Sequence, residues 1–340
     1  MTKPIIILGP ALMVYDGMTI ESKDDISITI TDSAEVFKTI WRGPVAQKLL
    51  GRSAEIKFKP TKWSDHAKLF GLLSASVGSL VFGIADKPCQ IYGADGTCVE
   101  FARCAFISLP SLGLGVKQEK LGEFTMLAQP DITKPLSEIA AIYKRAEKPV
   151  VTEPTLTAED IATNPFIYVV GDPANGGFVV HLQEGATIDF DVQTTEIPID
   201  LGGDTPYDYI FTSVQPTIKL KPLGITYDQW ETLVGLKNSP RVGGVLSEAP
   251  SGVLRGLYKD DLSVDVKKAV CLDRGLTYGI EDQRFPEITL TPMGDWGKSK
   301  ITIGTCAADF VWPETAPASA PVVASNETKS GKSGKPGIIA

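Results

Sequence analysis

With 340 residues, 43% of them hydrophobic and 22% charged, the chain has the composition of a soluble globular protein and length for two or three domains. Its formal net charge of −8 disfavours adhesion to phosphate backbones or anionic membranes, and no stretch approaches the roughly 20 apolar residues that span a bilayer. The five cysteines, Cys89, Cys98, Cys104, Cys271 and Cys306, lack metal-ligand spacing, and their odd number argues against a disulfide framework; buried thiols made in a reducing cytoplasm are expected.

From the amino terminus, Met1–Pro4 leads straight into a strand-like run. Ile5–Val14 is too short, and too soon interrupted by Gly9-Pro10, to resemble a secretory signal. Ile20–Thr31 alternates apolar and polar residues, the signature of a strand with one buried face, and Ala54–Lys59 does the same before Pro60. The period then changes. Ser64–Leu73 reads as a short helix with Ser64 as N-cap and Ala67, Phe70 and Leu73 on one stripe. Strand-like segments follow at Cys89–Tyr92, Thr97–Phe106 and Lys120–Leu127. Residues 1–128 form a first domain on this reading.

Residues 129–163 read as a linker, broken by Pro130, Pro135, Pro149 and Pro154, with a short helix around Leu136–Ala146. A second domain, 164–309, repeats the order of the first. Asn175-Gly176 is a hairpin turn signal. Thr226-Tyr227-Asp228-Gln229 is a capping box that starts a helix carrying Trp230, Leu233 and Val234. After Trp312 the tail, 310–340, turns to Pro, Ala, Ser, Gly and Lys and is expected to be disordered.

The two domains read as copies. Ile26–Ile30 returns as Ile188–Val192, and Ile56–Pro60 as Ile218–Pro222, each 162 positions on (26 to 188, 56 to 218). Ile5–Pro10 aligns with Ile167–Asp172 at the same interval, and Val99–Arg103 meets Val264–Lys268 at 165. So long a period signifies two fused domains rather than a solenoid. The expected fold is mainly β: two tandem β-sandwich or half-barrel domains, each with one inserted helix.

Chemistry-bearing motifs are sparse. His66 and His181 occupy non-equivalent places in the repeat, so they are not a shared catalytic residue. Asp24-Asp25 is replaced by Ala186-Thr187 in the second copy and reads as a solvated turn, as does Asp260-Asp261. Gly176-Gly177, Gly202-Gly203 and Gly243-Gly244 lack the spacing of a phosphate loop. No catalytic residue, cofactor or metal site is expected, and no enzyme.

Two copies of strands, helix and strands, with long polar segments at Asp32–Ser53 and Gln193–Pro216, resemble the tail tube proteins of long-tailed bacteriophages and the tubes of type VI secretion systems. The resemblance covers Thr2–Leu127 and Asn164–Cys306. It implies a virion structural protein, assembled in the host cytoplasm, whose rings stack into a conduit for DNA. With two domains per chain, it implies trimeric rings of pseudo-sixfold symmetry. Partners so implied are further copies of the chain, a tape measure, a tail terminator and a baseplate; DNA passes without specific binding, and no membrane is involved. In the family the long segments stack one ring on the next, which makes Ile40 and Trp41 the expected stacking contacts.

Four strands per domain, as in that family, would close a 24-stranded barrel. At ~4.8 Å spacing and ~40° tilt its lumen is roughly 35–40 Å wide, enough for a duplex. Asp189 and Asp191 are then candidates to line the lumen, in place of Ser27 and Thr29 in the first copy. An ordinary solvated strand face is the other reading. Lys57, Lys59, Lys219 and Lys221 alternate on strands too, and either set could face outward. The resemblance also admits a baseplate or hub ring, and the duplication admits a carbohydrate-binding β-sandwich.

Overall fold

Alternating side chains dictate most of this molecule, because a strand with every second residue apolar must lay that face on another layer. In the computed structural model the described residues are 12–61, 77–85, 87–115, 122–130, 139–144, 165–171, 176–198, 204–235, 242, 244, 249–256, 262–273, 285–294 and 300–305. Residues 1–308 make one compact unit and 309–340 a second. All the described residues belong to the first unit. The expected disordered tail, the helix at Ser64–Leu73 and the segment Ile5–Pro10 lie outside the described residues.

The fold is mainly β, in two antiparallel sheets. The chain opens with β1 (Leu12–Tyr15) and β2 (Met18–Glu21), joined by a two-residue turn. Asp16 and Gly17 there both take positive φ, 49° and 74°; such a turn matches the twist of its strands. β3 (Ser27–Thr39) and β4 (Gly43–Phe58) form a long hairpin. A short helix α1 (Val81–Ala85) precedes β5 (Lys87–Tyr92), β6 (Thr97–Phe106), β7 (Leu112–Leu114), β8 (Phe124–Gln129) and β9 (Ala140–Lys144). Ala54, Ile56 and Phe58 of β4 are buried beside Phe124, Met126 and Ala128 of β8. Phe58 stacks on Phe124 with ring centroids 5.6 Å apart.

The first sheet has the order β2-β1-β5-β6-β8-β4-β3. Its two ends are the halves of one chain segment, since β2 runs into β3 through residues 22–26, and Ser22 bridges Pro60 beyond β4. The sheet therefore curls back on itself, as a half-barrel does. Ile20–Thr31, expected as one strand, is broken at this bend.

The second sheet contains β10 (Phe166–Val170), β11 (Phe178–Ile197), β12 (Asp208–Leu223), β13 (Gly252–Gly256), β14 (Leu262–Val266), β15 (Ala269–Cys271), β16 (Ile288–Pro292) and β17 (Ile301–Thr305). Its order is β15-β16-β12-β11-β10-β13-β14-β17, and β7 of the first half pairs with β11. β11 is continuous where β2 and β3 are broken, and Lys267-Lys268 separate β14 from β15 where β6 is continuous.

Both sheets run through the same pairings. Tyr15 lies between Met18 and Cys89, as Tyr168 lies between Val180 and Leu254. Ile28 faces Ile56 as Ile188 faces Ile218, and Ile56 meets Met126 as Ile218 meets Leu290. Cys104 meets Ala128 as Ala269 meets Pro292. These registers put Ile28, not Ile26, at the place of Ile188. They likewise put Leu12–Tyr15, at a shorter interval than Ile5–Pro10, at the place of β10.

One expectation fails outright. Ala140–Lys144, inside the segment expected to hold a linker helix, is β9, paired with β6 from Thr97↔Lys144 to Phe101↔Ala140. β17 pairs with β14 in the same way. The first sheet thus extends past residue 128, and the helix propensity of Ala-Ala-Ile-Tyr-Lys yields to an available strand edge.

The second helix, α2 (Tyr227–Leu233), stands where its capping box places it: Gln229 N donates to Thr226 Oγ1, and Thr226 N donates to Gln229 Oε1. It seats Trp230 and Leu233 in the core, with Trp230 against Phe285.

Candidate assembly surfaces

The β3–β4 hairpin changes character along its length. At its root Ile28 and Ile30 pack against the core; beyond Ser33 the strands lie mostly in solvent. The arm continues from Ala34 to Thr39 for about 20 Å at ~3.4 Å per residue. The turn at its tip is Ile40-Trp41-Arg42, closed by Gly43 at φ 64° and by Arg42 N donating to Thr39 Oγ1 over 3.2 Å. Ile40 is 100% exposed and Trp41 94%, with Phe37 and Val45 about half exposed alongside. Clustered exposed apolar side chains mark a contact surface. Asp32–Ser53, expected as a polar loop, is thus a paired β-arm with an apolar tip.

The root of the arm is clamped by the second half. Asp204 N donates to Leu50 O over 2.9 Å, Arg52 N donates to Thr205 Oγ1 over 3.0 Å, and Ser33 Oγ donates to the Asp204 carboxylate. A Cβ on Gly51 would lie 2.9 Å from Thr205 N. Farther along, Phe211 N donates to Ser79 O, Gly78 N donates to Phe211 O, and the buried Asp208 carboxylate accepts from Phe82 N over 3.0 Å. Gln129 Nε2 donates to Pro206 O. Much of Gln193–Pro216, expected as a free stacking loop like its counterpart, therefore joins the halves. Its residues 199–203 lie outside the described set. No spacing rule marks these junction residues in the sequence; the glycines that let the chains approach are the nearest signal.

Each lysine expected near the lumen has a carboxylate within ion-pair distance. Asp189 and Lys219 lie on one face of β11 and β12, and Lys219 Nζ donates to Asp189 Oδ2 over 2.9 Å. Lys221 pairs with Glu184 at 3.3 Å, Lys57 with Glu55 at 3.1 Å, and Lys59 with Asp24 at 3.9 Å. Of the residues expected as rival candidates for the lumen, Asp189 and Lys219 thus share a face and pair with each other, while Lys57, Lys59 and Lys221 pair with other carboxylates. Asp191 is exposed and accepts from Gln193 Nε2 over 3.2 Å. Burial alone would raise the Asp189 pKa, but hydrogen bonds from Lys219 and Ser111 carry it below the ordinary carboxylate value.

Asp32, opposite Arg52 at the arm's root, is likewise held down by the two-pronged hydrogen bond from that guanidinium. A depressed carboxyl pKa contributes stability above the unfolded value of about 3.9 and loses it as pH falls through the folded value. Exposed pairs of this kind contribute about 0.2–1 kcal/mol each. The double variant Asp32→Asn, Asp189→Asn should accordingly have a lower urea midpoint than the parent at pH 6, with the deficit shrinking as the pH falls from about 3.9 toward 2.5. A deficit that persists unchanged at pH 2.5 would mean the carboxylates act through packing instead.

His181 is exposed on β11, and His66 lies outside the described residues. Cys89, Cys98, Cys104 and Cys271 are buried free thiols. Among the described residues no group of three or more His, Cys, Asp or Glu side chains is placed to hold a metal ion, and no helix is long and apolar enough to cross a membrane. No protein-family model matches the chain, and no curated protein matches it.

Proposed function

We propose that the chain is a tail tube protein: a duplicated β domain, three copies of which close a pseudo-sixfold ring, with rings stacked into a conduit for DNA. The observation that carries this reading is the projecting arm tipped by Ile40 and Trp41. A two-stranded ribbon is marginal alone in water, and fully burying side chains of this size contributes about 1.5–3 kcal/mol each, so the arm gains most by lodging against another ring. The matching pairings of the two sheets support the duplication, and a duplicated domain halves the number of chains a ring requires.

On this reading the strand face bearing Asp189 and Asp191 borders the bore. Because Lys219 is matched by Asp189 and Lys221 by Glu184, the lysines of that wall are neutralised where they stand. It offers DNA no free row of lysines, each of which would add salt-dependent adhesion through counterion release. The chain's net charge of −8 makes the assembled tube acidic as a whole.

Negative-stain imaging of the purified protein tests the reading. Stacked rings or tubes with an open centre are the expected result. Single unassembled particles at every concentration would overturn it.

A further inference from the structure

The arm is charged unlike the rest of the molecule. Between Ala34 and Leu49 it carries Lys38, Arg42 and Lys48, all exposed, against the single acid Glu35, in a chain whose net charge is −8. Glu35 stands opposite Lys48 in the β3–β4 register, which leaves Lys38 and Arg42 beside the tip uncompensated. Among the described residues neither has a carboxylate within ion-pair distance, whereas Lys57, Lys59, Lys219 and Lys221 all do.

Apolar groups occupy both faces of the arm near its tip. Val36 and Phe37, 38% and 46% exposed, are consecutive in β3 and so point to opposite faces. Val45 joins them from β4, and Ile40 and Trp41 from the turn. A flat protein surface would cover one face only. A fluid apolar medium covers both.

A stack in which each arm lodges against the next ring leaves one set of arms without a ring at its end. We infer that these terminal arms sink their tips into the interfacial layer of a lipid bilayer bearing anionic headgroups. Amphipathic segments enter that layer by about 5–10 Å. At ~3.4 Å per residue this depth takes in Ile40 and Trp41 and reaches Phe37 and Val45. Tryptophan favours the layer, and the long stems of Lys38 and Arg42 return their charges to the headgroups. The edge amides of a two-stranded ribbon need water, so the tip goes no deeper.

The acidity of the chain does not cancel this attraction. The arm projects about 20 Å, whereas the Debye length at physiological ionic strength is about 8 Å. Headgroups at the tip therefore meet Lys38 and Arg42 and are screened from the carboxylates of the body. On the ring reading, which this inference presupposes, arms are presented three at a time, and such multivalency strengthens a weak single contact.

Flotation of the full-length assembled protein with vesicles tests it. Vesicles of phosphatidylcholine and phosphatidylglycerol in equal parts should carry about tenfold more protein, or better, than phosphatidylcholine alone. Lys38→Gln with Arg42→Gln should remove that preference without changing the circular dichroism melt. Lipids brominated on their acyl chains should quench tryptophan emission in the parent, and less in Trp41→Phe. Tubes that form but stay out of the vesicle fraction, or bind both vesicle types equally, would overturn the contact and leave the ring reading standing. Single chains that float with anionic vesicles and never assemble would overturn the ring reading and leave the contact of the tip standing.

Discussion

Replacing Ile40 and Trp41 together by serine is expected to abolish stacking of rings while leaving the fold untouched. Both side chains lie in solvent at the end of the arm, so their loss removes no contact that the single chain makes. Surface changes of this sort usually alter stability by no more than about 0.5 kcal/mol. In a stack, each arm that buries a tryptophan and an isoleucine would lose about 3–6 kcal/mol on the same area argument. One such contact is worth two to four powers of ten in association, and every chain in the ring repeats it. Sedimentation velocity should show tubes for the parent and no species larger than a single ring for the variant, with superimposable circular dichroism melts. Tubes that form normally would show that the arm tip is not a stacking contact.

The second large effect is expected at the junction of the halves. Gly185 sits at φ 89°, and a Cβ there would run into the Leu114 carbonyl and the Cα of Gly115. Both obstacles are backbone, held by the β7–β11 pairing, so neither can swing aside as a side chain would. Gly185→Ala therefore carries the strain of a positive φ, about 1–3 kcal/mol, plus the displacement of β7. A total loss of about 3–5 kcal/mol is expected from urea unfolding. Gly176→Ala supplies the control. Its φ is 91°, but nothing lies within 4 Å of the added carbon, so it should lose the strain alone. Equal losses in the two variants would mean that the β7–β11 contact contributes little.

Strand alternation and capping were legible in the sequence. Ala54, Ile56 and Phe58 point inward as their spacing requires, and Thr226 with Gln229 starts α2. Register was not legible. Aligning Ile26 with Ile188 differs from the observed Ile28 by two residues, and a two-residue slip leaves every side chain on its own face, so alternation cannot detect it. The place of Leu12–Tyr15 was hidden because its turn is two residues long, while the link between β10 and β11 spans 171–177. β9 was misread because a strand that fills an edge obeys its partner rather than its own propensity.

Charge pairing was equally invisible. Asp189 and Lys219 are 30 positions apart, and only the β11–β12 register sets them diagonally across one face. The junction at Thr205 and Asp208 depends on the approach of segments more than 120 residues apart. The apolar tip was readable as Ile40-Trp41 in a polar stretch, but not the paired arm that presents it.

Native mass spectrometry of the smallest assembled species counts the chains in the ring. With a chain of 36.5 kDa, a closed ring of three chains has a mass of about 110 kDa. Image averages of that species should show six similar lobes around an open centre. A ring of six full chains, or three chains whose halves form visibly unlike lobes, would contradict the account.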